Sequence, residues 1–174
     1  MIDKMIDKMI DKMIDKETFK KIMACAPGPA TIVTATGDDD RPQGLTVSAV
    51  CSVSLDPPLV LACLDLGSNT LKAVRSSGAF TVNYIASGRE HVALDFAVKS
   101  DSKFDGHRWS APVGVAGGPI LDEHSAAFAV CRVEQLVDAG DHVIVVGAVV
   151  DGQASDDCHA LAYARRAFFT AAGV

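Results

Sequence analysis

Residues 45–55 read Leu-Thr-Val-Ser-Ala-Val-Cys-Ser-Val-Ser-Leu, and the fold turns on how they are read. Side chains of a β-strand alternate between its two faces. Here every odd position is apolar, while the even positions Thr46, Ser48, Ser52 and Ser54 form a row of hydroxyls interrupted only by Val50. The pattern predicts one long strand. Its hydroxyl row has two readings: it faces water, as on an ordinary half-buried strand, or it lets a ligand approach the backbone and accept hydrogen bonds at phosphate or ring oxygens.

Upstream, residues 30–36 are short, β-branched and apolar, and the polar run 37–44 joins them to 45–55 as a hairpin. Downstream, 58–64, 80–85, 126–136 and 142–150 read as four more strands, separated by helices at about 68–76 and 89–98. Six strands and few helices predict a mainly β chain rolled into an antiparallel barrel with flanking helices. At the amino terminus Met-Ile-Asp-Lys occurs four times. A period of four drifts by about 40° per repeat against the helical 3.6, so its apolar stripe winds around a helix. Like charges also recur at i,i+4. Residues 1–16 are therefore expected to be an extension without chemistry, ahead of a single domain over 17–174. Phe19, Ile22, Met23 and Ala26 follow helical spacing, which predicts an amphipathic helix over about 15–25, ended by Pro27-Gly28-Pro29.

A chain of 174 residues, 49% of them hydrophobic, can bury one substantial core. Its net charge of -6 argues against a broad footprint for nucleic acid or an anionic membrane, so any phosphate must be held locally. The five cysteines are scattered, with no C-x-x-C pair, which fits a reducing cytoplasm better than a disulfide framework or a zinc site. No segment approaches the roughly 20 apolar residues of a membrane helix. There is no G-x-G-x-x-G after a strand and no G-x-S-x-G elbow, so neither a Rossmann domain nor a hydrolase triad is expected.

Three segments could carry chemistry. Leu66-Gly67-Ser68-Asn69-Thr70 opens a helix with Ser68 as its cap, and the free N–H groups of such an end suit an anion, though most capped helices bind nothing. Residues 96–104, Phe-Ala-Val-Lys-Ser-Asp-Ser-Lys-Phe, put Lys99 and Lys103 one turn apart if the helix persists, as a pyrophosphate clamp or as two solvated lysines. Gly140-Asp141-His142 enters an apolar strand with a histidine at its mouth. As strand neighbours Asp141 and His142 would point to opposite faces and form no dyad.

In order and spacing, T-V-S-A-V-C-S-V-S-L-D-P-P-L-V, G-S-N-T, A-F-T-V-N, F-A-V-K-S-D-S-K-F and G-D-H-V-I-V-V-G-A-V resemble the flavin reductase family, the reductase components of two-component flavin-dependent monooxygenases. The resemblance covers about residues 17–170 and implies a six-stranded FMN-binding split barrel. It further implies an NAD(P)H-dependent flavin reductase, with NADH the favoured donor and FAD placed ahead of FMN. The enzyme would be a cytoplasmic homodimer that passes reduced flavin by diffusion to a separate monooxygenase, in a biosynthetic or aromatic-degradation pathway. By the same resemblance Thr46, Val47, Ser48 and Ala49, with Ser52 further along, contact the isoalloxazine edge and ribityl chain. Cys63, Leu64, Asp65, Ser68, Asn69 and Thr70 line the ring and phosphate region, and Ala97, Val98, Lys99 and Lys103 complete the flavin site. His142 is the implied catalytic residue beside flavin and nicotinamide, and Tyr163, Arg166 and Phe168 lie on a closing strand that borders the nicotinamide. Other split-barrel oxidoreductases, of pyridoxamine-phosphate-oxidase or F420-using type, and a non-catalytic flavin or haem carrier are the competing readings.

Overall fold

The computed structural model describes residues 13–170; most of the repeat extension, residues 1–12, lies outside them. Helix α1 (Lys16–Met23) is capped by Asp15, whose carboxylate accepts from Glu17 N and Thr18 N. It is followed by β1 (Gly28–Pro29), β2 (Thr31–Thr36), β3 (Pro42–Val47), β4 (Val50–Leu55) and β5 (Pro58–Asp65). Then come α2 (Asn69–Ser77), β6 (Ala79–Ile85), α3 (Glu90–Ala97), β7 (Ser125–Ala139), β8 (His142–Ala154), β9 (Leu161–Ala164) and β10 (Ala167–Thr170). The architecture is mainly β, with helices flanking one large antiparallel sheet. Among the described residues no helix is long and apolar enough to cross a membrane.

The expected single strand over 45–55 is two strands. Val47 ends β3, Ser48 and Ala49 form a bend, and Val50 begins β4. The large sheet has the order β3-β2-β6-β7-β8-β5-β4, seven strands rather than six, so the two halves of that segment occupy its opposite edges. Laid flat, seven strands would hold those edges roughly 29 Å apart, yet the two-residue link from Val47 to Val50 reaches at most about 11 Å. The sheet must curl enough to bring the end of β3 near the start of β4, and Cys63 N donates to Ala49 O at 3.0 Å, extending the β4–β5 pairing into the link. Alternation is lost at the same place. Val47 and Val50, three residues apart, are both buried, whereas Val53 and Leu55 are 49% and 91% exposed. A register shift between Ser52 and Ser54 disturbs the pattern again.

Curling gives β2 two buried faces. Val33 and Ala35 point into a core with Val47, Val50, Leu64, Leu71 and Phe80. Ile32 joins a second core with Val92 and Phe96 of α3, Leu121 and Leu161. A small sheet, β1-β9-β10, closes over this second core. The C-terminal segment is thus a hairpin turning at Arg165 and Arg166, both in the left-handed region with φ of 49° and 63°, and not one closing strand.

Buried polar groups sew the segment 117–121 onto the sheet. Asn83 Nδ2 donates to Ile32 O and Pro119 O, each at 3.2 Å, and its Oδ1 accepts from Leu121 N at 2.9 Å. Thr34 Oγ1 donates to Pro119 O at 2.6 Å and Thr81 Oγ1 to Gly118 O at 2.7 Å. Gly118 lies so close that a Cβ there would stand 2.1 Å from Thr34 O. Removing a partner strands buried donors and acceptors, so Asn83→Leu is expected to cost about 3 kcal/mol in denaturant unfolding. A loss below about 0.5 kcal/mol, the level of an ordinary surface change, would refute this role.

The same region gathers three histidines. The His107 ring lies 5.1 Å from that of His124 and 6.4 Å from that of His91, and His107 Nε2 sits 3.1 Å from Asp95 Oδ2. His124 is buried with no partner at Nδ1, and no group of three or more potential ligands among the described residues could hold a metal ion. Burial, then neighbouring His107, Arg89 and His91, hold His124 below its ordinary value of 6.5, with Glu123 opposing. The unfolded chain therefore takes up this proton at higher pH than the folded one, and stability is lost as pH falls below 6.5. Unfolding midpoints compared at neutral and mildly acidic pH should fall in acid for the unchanged protein and fall less for His124→Phe. Parallel profiles would assign the acid sensitivity elsewhere.

Candidate functional site

Two depressions meet at the C-terminal end of α3. One is a cleft of about 600 Å³ lined by Gly44 and Leu45 of β3, by Asp65 and Ser68 to Thr70 around the start of α2, and by Ala97, Val98, Lys99 and Lys103. The other, about 220 Å³ and mainly apolar, lies between Thr46, Val47 and Ser48, the α3 residues Ala93 and Leu94, and the hairpin residues Tyr163 and Phe168. Ala97 lines both. Both are walled by β3, the larger by Gly44 and Leu45 and the smaller by Thr46 and Val47, with Ser48 of the bend in the smaller.

At the polar end, Ser68 caps α2 by accepting from Leu71 N at 3.1 Å, as its position after a strand predicts. Asp65 Oδ1 accepts from Gly67 N at 2.7 Å and fixes the turn before it. In the smaller depression Tyr163 and Phe168 face each other across β9 and β10 with ring centroids 5.0 Å apart. The hydroxyl row does not form a common face. Thr46 Oγ1 donates to Ala93 O at 2.6 Å, Ser48 is exposed at the bend, and exposed Ser52 lines neither depression.

The lysine pair also differs from expectation. Helix α3 stops at Ala97, and Val98 is extended (φ -88°, ψ 156°), so Lys99 and Lys103 are not one helical turn apart. Lys103 Nζ donates to Gly44 O at 3.0 Å and Phe96 O at 2.9 Å, and burial lowers its pKa. Lys99 is exposed. Of the other expected residues, Leu64 belongs to the core, Cys63 is half-buried with its thiol pushed up by burial and then by Cys51, and Ala49 and Arg166 line neither depression.

His142 lies beside the larger cleft without lining it: it pairs across the ladder with Asp65, which puts both side chains on one face of the sheet. Contrary to the alternation argument, its Nδ1 sits 2.7 Å from Asp141 Oδ1. Asp141 belongs to the hairpin turn, next to Gly140 with φ +67°, and strand alternation does not govern turn residues. The imidazole holds the Asp141 carboxyl below the usual carboxylate range, chiefly through this hydrogen bond. With Nδ1 engaged, Nε2 is the nitrogen left to meet a ligand. The sequence reading passed over Leu94, which is apolar on the outward side of α3. An apolar residue out of phase with Val92, Ala93 and Phe96 was the available signal.

Residues 23–172 match the family model described as "Flavin reductase like domain". A flavin reductase (NADH) of Kitasatospora aureofaciens is 45% identical over 136 residues, covering 78% of this chain and 71% of that protein. Nitrilotriacetate monooxygenase component B of Mycobacterium thermoresistibile superposes with a TM-score of 0.83 at 31% identity, over 91% of this chain and 87% of the other. The NADH:FAD oxidoreductase of Streptomyces globisporus, solved with NAD and FAD fragments, gives a TM-score of 0.83 at 26% identity, over 92% and 97%.

Proposed function

Because this chain belongs to the flavin reductase-like family, we propose that it uses NADH or NADPH to reduce a flavin and releases the reduced flavin to a separate monooxygenase. The observation that carries this reading is the junction of the two depressions at Ala97: a cleft with the donors Ser68, Asn69, Thr70 and Lys99, suited to a phosphate end, runs into an apolar pocket suited to a planar ring. Residues 17–174 form the reductase domain in this reading, and residues 1–16 stand outside it. The donor set fits a flavin. Ser68, Asn69, Thr70 and Lys99 would hold its phosphate end, and Thr46, Val47 and Ser48, opposite Tyr163 and Phe168, would flank its ring. FAD is preferred to FMN, as the Streptomyces globisporus protein's name suggests.

Nicotinamide and flavin bound together would supply the hydride-transfer chemistry, a reactivity that belongs to the two rings. The chain's task is to hold the rings in the near-attack range of about 3–3.5 Å and to keep water out. His142, with Nδ1 turned to Asp141, offers Nε2 to orient the donor or exchange a proton near the rings.

The barrel is the split type in this proposal, paired as a homodimer. Val53 and Leu55 on β4, and Phe19, Ile22 and Met23 on α1, are exposed apolar side chains that a second copy would cover.

Steady-state oxidation of NADH and of NADPH with riboflavin, FMN and FAD tests the activity. Turnover with NADH and FAD is expected, and no turnover in any combination rejects the proposal. In stopped flow, His142→Ala should slow flavin reduction by about tenfold or more while flavin affinity changes far less. An unchanged rate would remove His142 from the chemistry.

A further inference from the structure

We propose that the two lysines of this cleft divide its work: Lys103 is a positioning residue that clasps the end of α3 to β3, and Lys99 is the cation that reads the flavin's phosphate. The inference rests on the assignment of the cleft to flavin. It departs from a symmetric two-lysine clamp because the two ammonium groups are not in equivalent situations.

An ammonium has three N–H donors and no acceptor. Two donors of Lys103 are spent on the backbone, on Gly44 O of β3 and Phe96 O of α3. The second contact follows from how the helix ends. Val98 leaves the helical region, which exposes the final carbonyls of α3, and a cation there satisfies a carbonyl and opposes the negative end of the helix dipole. The strand and helix that Lys103 bridges are already close: a Cβ on Gly44 would lie 2.5 Å from Phe96 Cε1. Phe104 stands edge-on to Phe96, with centroids 4.9 Å apart at 89°, so the residue after Lys103 grips the same helix. Lys103 and Phe104 thus fasten the segment leaving α3 at one point, and Val98 and Lys99 hang between that point and Ala97.

Lys99 differs in each respect. It is exposed, it lines the same cleft as Ser68, Asn69 and Thr70, and among the described residues its ammonium has no hydrogen bond or ion pair. Asp65 and Asp101 line that cleft as well, so a phosphate entering it needs a compensating cation. Of the two lysines, Lys99 has all three donors to offer. Lys103 acts on the flavin through the backbone it holds, with its own charge largely committed to two carbonyls.

Equilibrium titrations of riboflavin, FMN and FAD against the unchanged protein, Lys99→Gln, Lys103→Met and Lys103→Arg, with ligand-free Tm values, test this division. Lys99→Gln should weaken FMN and FAD by about tenfold, one charge-assisted hydrogen bond, and leave riboflavin within about twofold. Lys103→Met should weaken all three flavins by a similar factor and lower the Tm, and Lys103→Arg should recover part of both. A Lys103→Met loss confined to FMN and FAD would overturn the inference, as would unchanged flavin affinities beside a lowered Tm, or a Lys99→Gln loss that includes riboflavin equally. If Lys103→Met does not fold, the Lys99→Gln and Lys103→Arg titrations decide by the same criteria. If the unchanged protein binds none of the three, the flavin assignment itself fails and takes this inference with it.

Discussion

Two residues, Ser48 and Ala49, carry the chain from one edge of a seven-stranded sheet to the other. Since so short a link spans at most about 11 Å, it obliges the sheet to curl, and much of the molecule follows from that obligation. Val47 and Val50 are buried on either side of the bend, β2 acquires two buried faces, and α3 and the β1-β9-β10 sheet cover the face that curling turns outward. The two depressions run along β3 beside α3 and meet at Ala97.

The site is therefore built mostly from backbone and from fixed points rather than from reactive side chains. Asn83, Thr34 and Thr81 pin the 117–121 segment across the sheet, and Lys103 fastens α3 to Gly44. Rigidity of this kind suits a reaction in which two bound rings supply the reactivity and the protein supplies their alignment.

Much of this was legible from residue patterns. The strands over 58–64 and 80–85, the three helices and the Ser68 cap follow from period and capping chemistry, which are local. What was hidden depends on partners. Alternation along 45–55 says which side chains share a face only while the strand keeps one partner, and here it exchanges β2 for β5 at the bend. Lys103 lines the larger cleft as expected, but its clasp between β3 and α3 was not legible, because Gly44 O and Phe96 O are backbone atoms that no side-chain motif records. Asp141 and His142 looked separated because strand alternation was applied to Asp141, which belongs to the turn beside Gly140. The hairpin at Arg165 and Arg166 carries no glycine to announce its left-handed turn. The family resemblance supplied the flavin, which periodicity and spacing alone did not.

The central claim is that the larger cleft and the apolar pocket joined at Ala97 are one flavin site. The most direct measurement is a crystal structure of the protein with FAD bound. The flavin phosphates are expected near Lys99 and Ser68 to Thr70, and the isoalloxazine between Thr46 to Ser48 and the Tyr163–Phe168 pair. Flavin seated instead in the separate depression of about 450 Å³ around Arg89, Phe128 and Gln153 would contradict it.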